Sequence, residues 1–318
     1  MNDTENESRR TVINDKSIKQ YNACIVQIAS ALLNLSSPAV TTDMINELSV
    51  NCGITKGHAY AECLACLCGL DVSGKDKAFF RDYYIPMIKE LEAAEFENDP
   101  FCKNIGIPSV SNGKWALKMI SLKPCEVFVR DDFLVTDDKR LIPRLGFFTQ
   151  EFKYPAVLEN GREWMTLMPN EIVTTLPAIE KAHGNVLTYG LGLGYFTYMA
   201  SEKHEVTTVT AVDISEEAIS LFAQYILPQF PHGDKIRLIC ADAFNYAENK
   251  VKNGNFDFIF ADIWHDAGDG RQLYHKIKIM KNTARRRNIC TGLKNPYSVT
   301  RTKRFGRKHD IKKRHCFE

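Results

Sequence analysis

"NVLTYGLGLGYFTYMA", residues 185–200, passes from an apolar run through three alternating glycines into an amphipathic segment. That order reads as a strand, a tight loop and a helix, and it decides how the flanking sequence is read. Gly190, Gly192 and Gly194 follow the strand directly, where missing side chains let the backbone approach a ligand and the next helix offers its N-terminus. A dinucleotide fingerprint needs glycine where Tyr195 stands, so a dinucleotide phosphate site is disfavoured.

Outward from the loop, strands and helices alternate. A helix over "NEIVTTLPAIEKAH" ends at Gly184, and strands follow at Asn185 to Tyr189, Val206 to Val212, Lys235 to Cys240 and Phe256 to Ala261. Helices at Tyr195 to Lys203, Ser215 to Ile226 and near Ala243 to Val251 separate them. Such alternation predicts a parallel sheet with crossover helices on both faces, which binds ligands beyond the carboxyl ends of its strands. Three acids stand there: Asp213 in "VTAVDIS", Asp242 in "RLICADAF" and Asp262 in "FDFIFADIWHD". Singly, each is a candidate helix cap. With the glycine loop they outline an adenosine pocket, in which Asp213 takes the ribose hydroxyls and Asp242 lies near the adenine amino group. Gly190, Gly192, Gly194, Asp213, Ile214, Asp242, Ala243 and Asp262 form the candidate cofactor set. Asp213, facing a cleft, is expected to add little to folding.

On these motifs, residues 169–268 resemble the class I S-adenosylmethionine-dependent methyltransferases: "VLTYGLGLG" for the glycine motif, "AVDIS" and "ADAF" for the two acids, "FDFIFADIW" for the fourth strand. The resemblance implies a Rossmann-like doubly wound α/β sheet, S-adenosyl-L-methionine as cofactor and a small-molecule acceptor. Thr188 departs from the pattern, standing where a carboxylate is common two residues before the first glycine. The spermidine synthases also lack that carboxylate, having an apolar residue where Thr188 stands, and are similar in a β-rich segment before the sheet and two acids after strand four, as Asp262 and Asp266 are here. They also place an Asp in the glycine loop, where Leu193 stands, and a Gln and Tyr signature that "GREWMTLMPNEI" lacks. The chain thus looks like a methyltransferase of the spermidine-synthase-like branch, with aminopropyl transfer as the alternative activity.

The loop after strand four holds the candidate catalytic residues. Asp262 orients or deprotonates an acceptor, His265 has the intrinsic pKa of a base, and Trp264 offers a flat wall for a planar or cationic group. No N-P-P-Y or Pro-Cys motif is present there, which argues against adenine or amide N-methylation and cytosine C5 methylation.

Before the sheet the texture changes twice. Residues 1–20 are polar and read as disordered, with no secretory h-region, and residues 21–112 read as a helical module. Its runs are "ACIVQIASALLNL", "TTDMINEL" capped by Thr42 or Asp43, "GHAYAECLACLCGL" and "KAFFRDYYIPMIKELEAAEF". Residues 113–168 are β-rich, with a hairpin turn at Asn160 and Gly161. Cys63, Cys66 and Cys68, with Cys52 and His58 upstream, have a zinc-like spacing, yet the helical run with Ala and Leu between reads as core packing, and no metal is expected.

The net charge of +2 hides an asymmetry: between Arg271 and Glu318 stand 16 Lys or Arg and two acids, against 25 bases and 37 acids in the rest. With no apolar run long enough for a bilayer, a soluble protein of the reducing cytoplasm is expected. The nucleotide-fold domain spans 169–280 and a basic tail 281–318. That tail shows neither helical nor strand periodicity, so the sheet reads as cut short after strand four or five, the tail being either a functional extension or a lost reading frame. Phosphate contact by the tail with a nucleic acid is a possible but disfavoured function.

Overall fold

A computed structural model describes residues 15–251, 256–263 and 288–291. The chain forms two compact units, the first comprising, among these residues, 15–90 and 133–146, the second 91–132 and those from 147 onward.

The first unit is built on helices α1 (Asp15–Leu33), α2 (Thr42–Cys52) and α3 (Lys56–Leu67). Residues 15–20, expected to be disordered, therefore belong to α1. Thr41, one residue before the first expected cap and two before the second, starts α2 by accepting the Met44 N–H, and Gly53, at φ 63°, ends it by returning its N–H to the Ser49 carbonyl. The fourth expected helix breaks up. Helix α4 (Lys77–Phe79), a π-turn (Phe80–Tyr84) and α5 (Ile85–Met87) lead into strand β1 (Ile88–Glu90). Pro86 brings no N–H to a helix, and the residues after it join a three-stranded sheet of order β1-β5-β4, with β4 (Phe128–Val135) and β5 (Leu141–Phe147) running on into the second unit. Asn22 ties the unit together: its amide oxygen accepts from the Tyr83 hydroxyl (3.0 Å) and the Leu141 N–H (2.9 Å), and its amide nitrogen donates to the Lys139 carbonyl (2.9 Å). Cys63 is buried, but Cys66 and Cys68 are exposed, so core packing accounts only for the first.

In the second unit, α6 (Ala93–Glu97) and α7 (Pro100–Asn104) precede an antiparallel sheet of order β2-β3-β6-β7: β2 (Val110–Asn112), β3 (Trp115–Leu122), β6 (Phe152–Glu159) and β7 (Arg162–Thr166). Asn160 (φ 51°) and Gly161 (φ 73°) make the β6–β7 turn, both left-handed as the twist of a tight hairpin demands. Next comes a parallel sheet of order β10-β9-β8-β11-β12. Its strands are β8 (Gly184–Tyr189), β9 (Val206–Asp213), β10 (Ile236–Cys240), β11 (Phe258–Ala261) and β12 (Asn288–Thr291). Helices α8 (Pro169–Lys181), α9 (Tyr195–Ser201), α10 (Glu216–Leu221) and α11 (Ala243–Tyr246) join them, the last two continuing as π-turns Phe222–Ile226 and Ala247–Val251.

The sheet is buried on both faces. Val186, Phe258 and Phe260 pack on one side with Phe196 of α9, whose ring stacks 4.2 Å from Phe260, and Leu187, Tyr189, Val212, Ile259 and Ala261 pack on the other. The Lys203 ammonium donates to the carbonyls of Ile179, Glu180 and Ala182, each at 2.8 Å, and so satisfies the open end of α8. Gly184 is therefore the left-handed first residue of β8 and not the stop of a helix.

Strand β12 corrects the expected tail: residues 288–291 pair in parallel with β11, Phe258 opposite Asn288. The sheet thus has five strands among the described residues. Four residues after a run of arginines are too few to display a period of two. Among the described residues no helix is long and apolar enough to cross a membrane.

Candidate functional site

Chain direction across the sheet reverses at β8, since β9 and β10 lie on one side of it and β11 and β12 on the other. Such a reversal opens a crevice at the strands' carboxyl ends. Backbone bonds set the spacing there: Gly190 N–H to the Val212 carbonyl, Asp262 N–H to the Tyr189 carbonyl and Ala241 N–H to the Asp213 carbonyl, all at 2.9 Å. The glycine loop therefore lies between Asp213 and Asp262, with Asp242 beyond Asp213.

All three loop glycines are left-handed, with φ of 86° at Gly190, 52° at Gly192 and 78° at Gly194. A Cβ would collide with the Asp262 carbonyl oxygen at Gly190, with the Met165 sulfur at Gly192 and with the Phe222 ring at Gly194. The close approach that the sequence assigned to a ligand is thus, in these three directions, an approach of the protein to itself.

Asp213 joins the loop to the sheet. Its Oδ2 accepts the Leu191 N–H (3.0 Å) and its Oδ1 the Ser215 N–H (2.9 Å). Ser215, not Asp213, caps α10, through its hydroxyl and the Ala218 N–H. Two backbone donors on one carboxylate correct the expectation that Asp213 adds little to folding; of its roughly four acceptor sites, two stay open for hydroxyl donors. Beside it Ile214 is 72% exposed. Asp242 caps α11, its Oδ1 accepting the Asn245 N–H at 2.9 Å, and Ala243, half-buried, begins that helix. Thr188 is buried, and its hydroxyl turns to the Gly190 carbonyl at 3.5 Å.

Asp262 has a neighbour that the sequence did not reveal. Burial pushes its carboxyl above the usual carboxylate range, and burial together with the Asp262 charge pushes Glu171, in the first turn of α8, up to about 8. The Asn170 amide oxygen, next to Glu171, is buried with no partner among the described residues. In sequence, Glu171 two residues after a proline reads as an ordinary complement to a helix N-terminus. Met165 also escaped, because a thioether on a β-strand signals packing. Trp264, His265 and Asp266 lie outside the described residues.

The folded chain holds a proton on Glu171 at pH values where the unfolded chain, with a carboxyl near 4.5, has released it. Stability therefore falls as pH rises from about 4.5 to about 8. Glu171→Gln is expected to match the parent's thermal midpoint near pH 4.5 and to exceed it at pH 8.5, by on the order of 1–3 kcal/mol. Equal pH slopes for the two proteins would remove the buried carboxyl from the site.

Residues 186–280 match the family model of a methyltransferase domain. Over those residues the chain is similar to a methyltransferase domain. No significant match is found among curated proteins. Among solved structures, a precorrin 8W decarboxylase from Methanobacterium thermoautotrophicum is 23% identical, over 38% of this chain and 62% of its own, with a TM-score of 0.30. A SAM-dependent methyltransferase from Agrobacterium tumefaciens is 21% identical, over 35% of this chain and 36% of its own, with a TM-score of 0.29. A spermidine synthase in complex with the transition state analogue AdoDATO is 19% identical, over 34% and 40%, with a TM-score of 0.28. The chain spans less than two thirds of the length of each. In the parallel sheet, Gly190, Asp213 and Asp262 are brought together and Asp242 stands at the next strand end.

Proposed function

We propose that this protein binds S-adenosyl-L-methionine at the carboxyl ends of β8 to β11 and transfers its methyl group to a small-molecule acceptor in the cytoplasm. The observation that carries the reading is Asp213, anchored by two backbone donors beside the glycine loop with acceptor capacity left over and exposed Ile214 next to it. This donor and acceptor set fits the cofactor: Asp213 for the ribose hydroxyls, Ile214 for one face of the adenine, Asp242 for the adenine amino group through the oxygen not used in capping. When bound, the cofactor supplies a methyl group on a sulfonium, and transfer is an in-line displacement that depends on alignment and exclusion of water. Asp262 orients the acceptor and, raised by burial to about 6, accepts a proton from it near neutral pH, while Glu171 beside it stays protonated and adds no second charge. His265 is proposed as a further base.

Leu193 is fully buried at the loop position where spermidine synthases place an Asp, which supports methyl over aminopropyl transfer. The proposal gives the basic segment 281–318 no nucleic-acid contact. Titration calorimetry tests the reading: S-adenosylmethionine and its demethylated product are expected to give saturable heats with Kd below about 1 mM. Absence of binding by both to the folded protein sinks it, and tighter binding of the decarboxylated cofactor would favour aminopropyl transfer.

A further inference from the structure

Met165 lies on β7, in the antiparallel sheet, yet its side chain ends at the glycine loop. Its Sδ accepts the Leu193 N–H at 3.2 Å, and the same sulfur fills the space that a Cβ on Gly192 would need. Two independent contacts thus place one thioether against the middle of the loop. Its neighbour Trp164 is held edge-on by Trp115, with ring centroids 5.6 Å apart, so the strand that carries Met165 is fixed at the preceding residue.

A thioether is a weak acceptor, and a backbone N–H in the loop can do better with an anion. The rest of the loop explains why that matters. Leu191 has given its N–H to Asp213, and Thr188, where a carboxylate would meet an ammonium group, is buried and neutral. The Leu193 N–H is therefore a loop donor held only by a weak and flexible partner.

We propose that Met165 sets how tightly the glycine loop takes the carboxylate end of its ligand: the thioether holds the Leu193 N–H in the free protein, competes for it, and yields it to a carboxylate on binding. The inference rests on the proposed function and deepens it, since it predicts a site that selects cofactors retaining the amino acid carboxylate over decarboxylated ones. Met165 is then a positioning residue with no contact to the reacting atoms.

The experiment compares two probes by calorimetry: S-adenosylhomocysteine, which bears the carboxylate, and methylthioadenosine, which lacks the whole amino acid end. Met165→Ala removes the competing acceptor and is expected to tighten S-adenosylhomocysteine by about five- to tenfold while methylthioadenosine is unchanged. Met165→Gln, of similar length but with a stronger acceptor, is expected to weaken S-adenosylhomocysteine by a similar factor, again with methylthioadenosine unchanged. The opposed signs keep the test valid if the cavity left by alanine prevents folding, because the glutamine variant alone then decides. Equal changes for both probes, or weakening by alanine, would overturn the inference. Failure of every protein, parent included, to bind either probe would instead overturn the cofactor reading itself.

Discussion

Gly190→Ala is expected to remove a large share of the stability of the second unit. At φ 86° a side chain is strained in any surroundings, and here the new Cβ meets the carbonyl oxygen of Asp262, a backbone atom of the residue after β11 whose N–H is bound to the Tyr189 carbonyl. Backbone strain and overpacking together amount to roughly 2–6 kcal/mol, a large share of the 5–15 kcal/mol that holds an ordinary domain. Two controls separate the causes. Gly161→Ala has a comparable φ of 73° but no atom within 4 Å of the new Cβ, so strain acts alone and the loss should be about 1–2 kcal/mol. Gly192→Ala meets the flexible end of Met165, which can swing aside, and should fall between the two. Chemical denaturation of the three variants gives the ranking; a Gly190→Ala protein as stable as Gly161→Ala would mean that β8 and β11 do not meet as described.

Asp213→Ala is expected to weaken S-adenosylmethionine binding by roughly ten- to a hundredfold, the worth of charge-assisted hydrogen bonds of about 1.5–3 kcal/mol. It should also destabilise the free protein, by roughly 2–4 kcal/mol, because the Leu191 and Ser215 N–H groups both lose their acceptor. The second effect complicates the first, and Ser215→Ala resolves it. That variant loses the cap of α10, at about 0.5–2 kcal/mol, together with the hydroxyl's bond to Glu217, and leaves the Asp213 carboxylate in place, so its affinity should be that of the parent. Thermal midpoints without ligand and calorimetric affinities, measured for both variants, tell a staple from a ligand: full affinity in a destabilised Asp213→Ala protein would confine Asp213 to holding the loop.

The sequence carried the sheet well because its signals are local. Each strand from β8 to β11 lies within two residues of its expected bounds, and the acids at their ends are where alternation placed them. Helix continuity was less legible. The period that predicted one helix from Ser215 to Ile226 does not distinguish α10 from the π-turn after it, and nothing before Ile88 announces that β5 will recruit it as a strand. The site was half legible for the same reason. Gly190, Asp213, Asp242 and Asp262 each follow a strand, whereas Glu171 and Met165 come from a helix and an antiparallel strand that only tertiary packing brings to the loop. Asp213 shows a subtler limit: its position was readable, but its two backbone partners depend on how a loop 22 residues away turns.

The placement of β8 also bears on how the chain is made. During synthesis, β9 follows β8 and covers one of its edges, but the other edge must wait for β11 to emerge after two further crossovers. Until then a strand whose last four residues, Val186 to Tyr189, are all buried in the finished protein presents a row of unpaired amide groups. An apolar open edge is a template for pairing with another chain. The interval between β10 and β11 is thus the period in which a nascent chain of this protein is most exposed to aggregation and most in need of a chaperone.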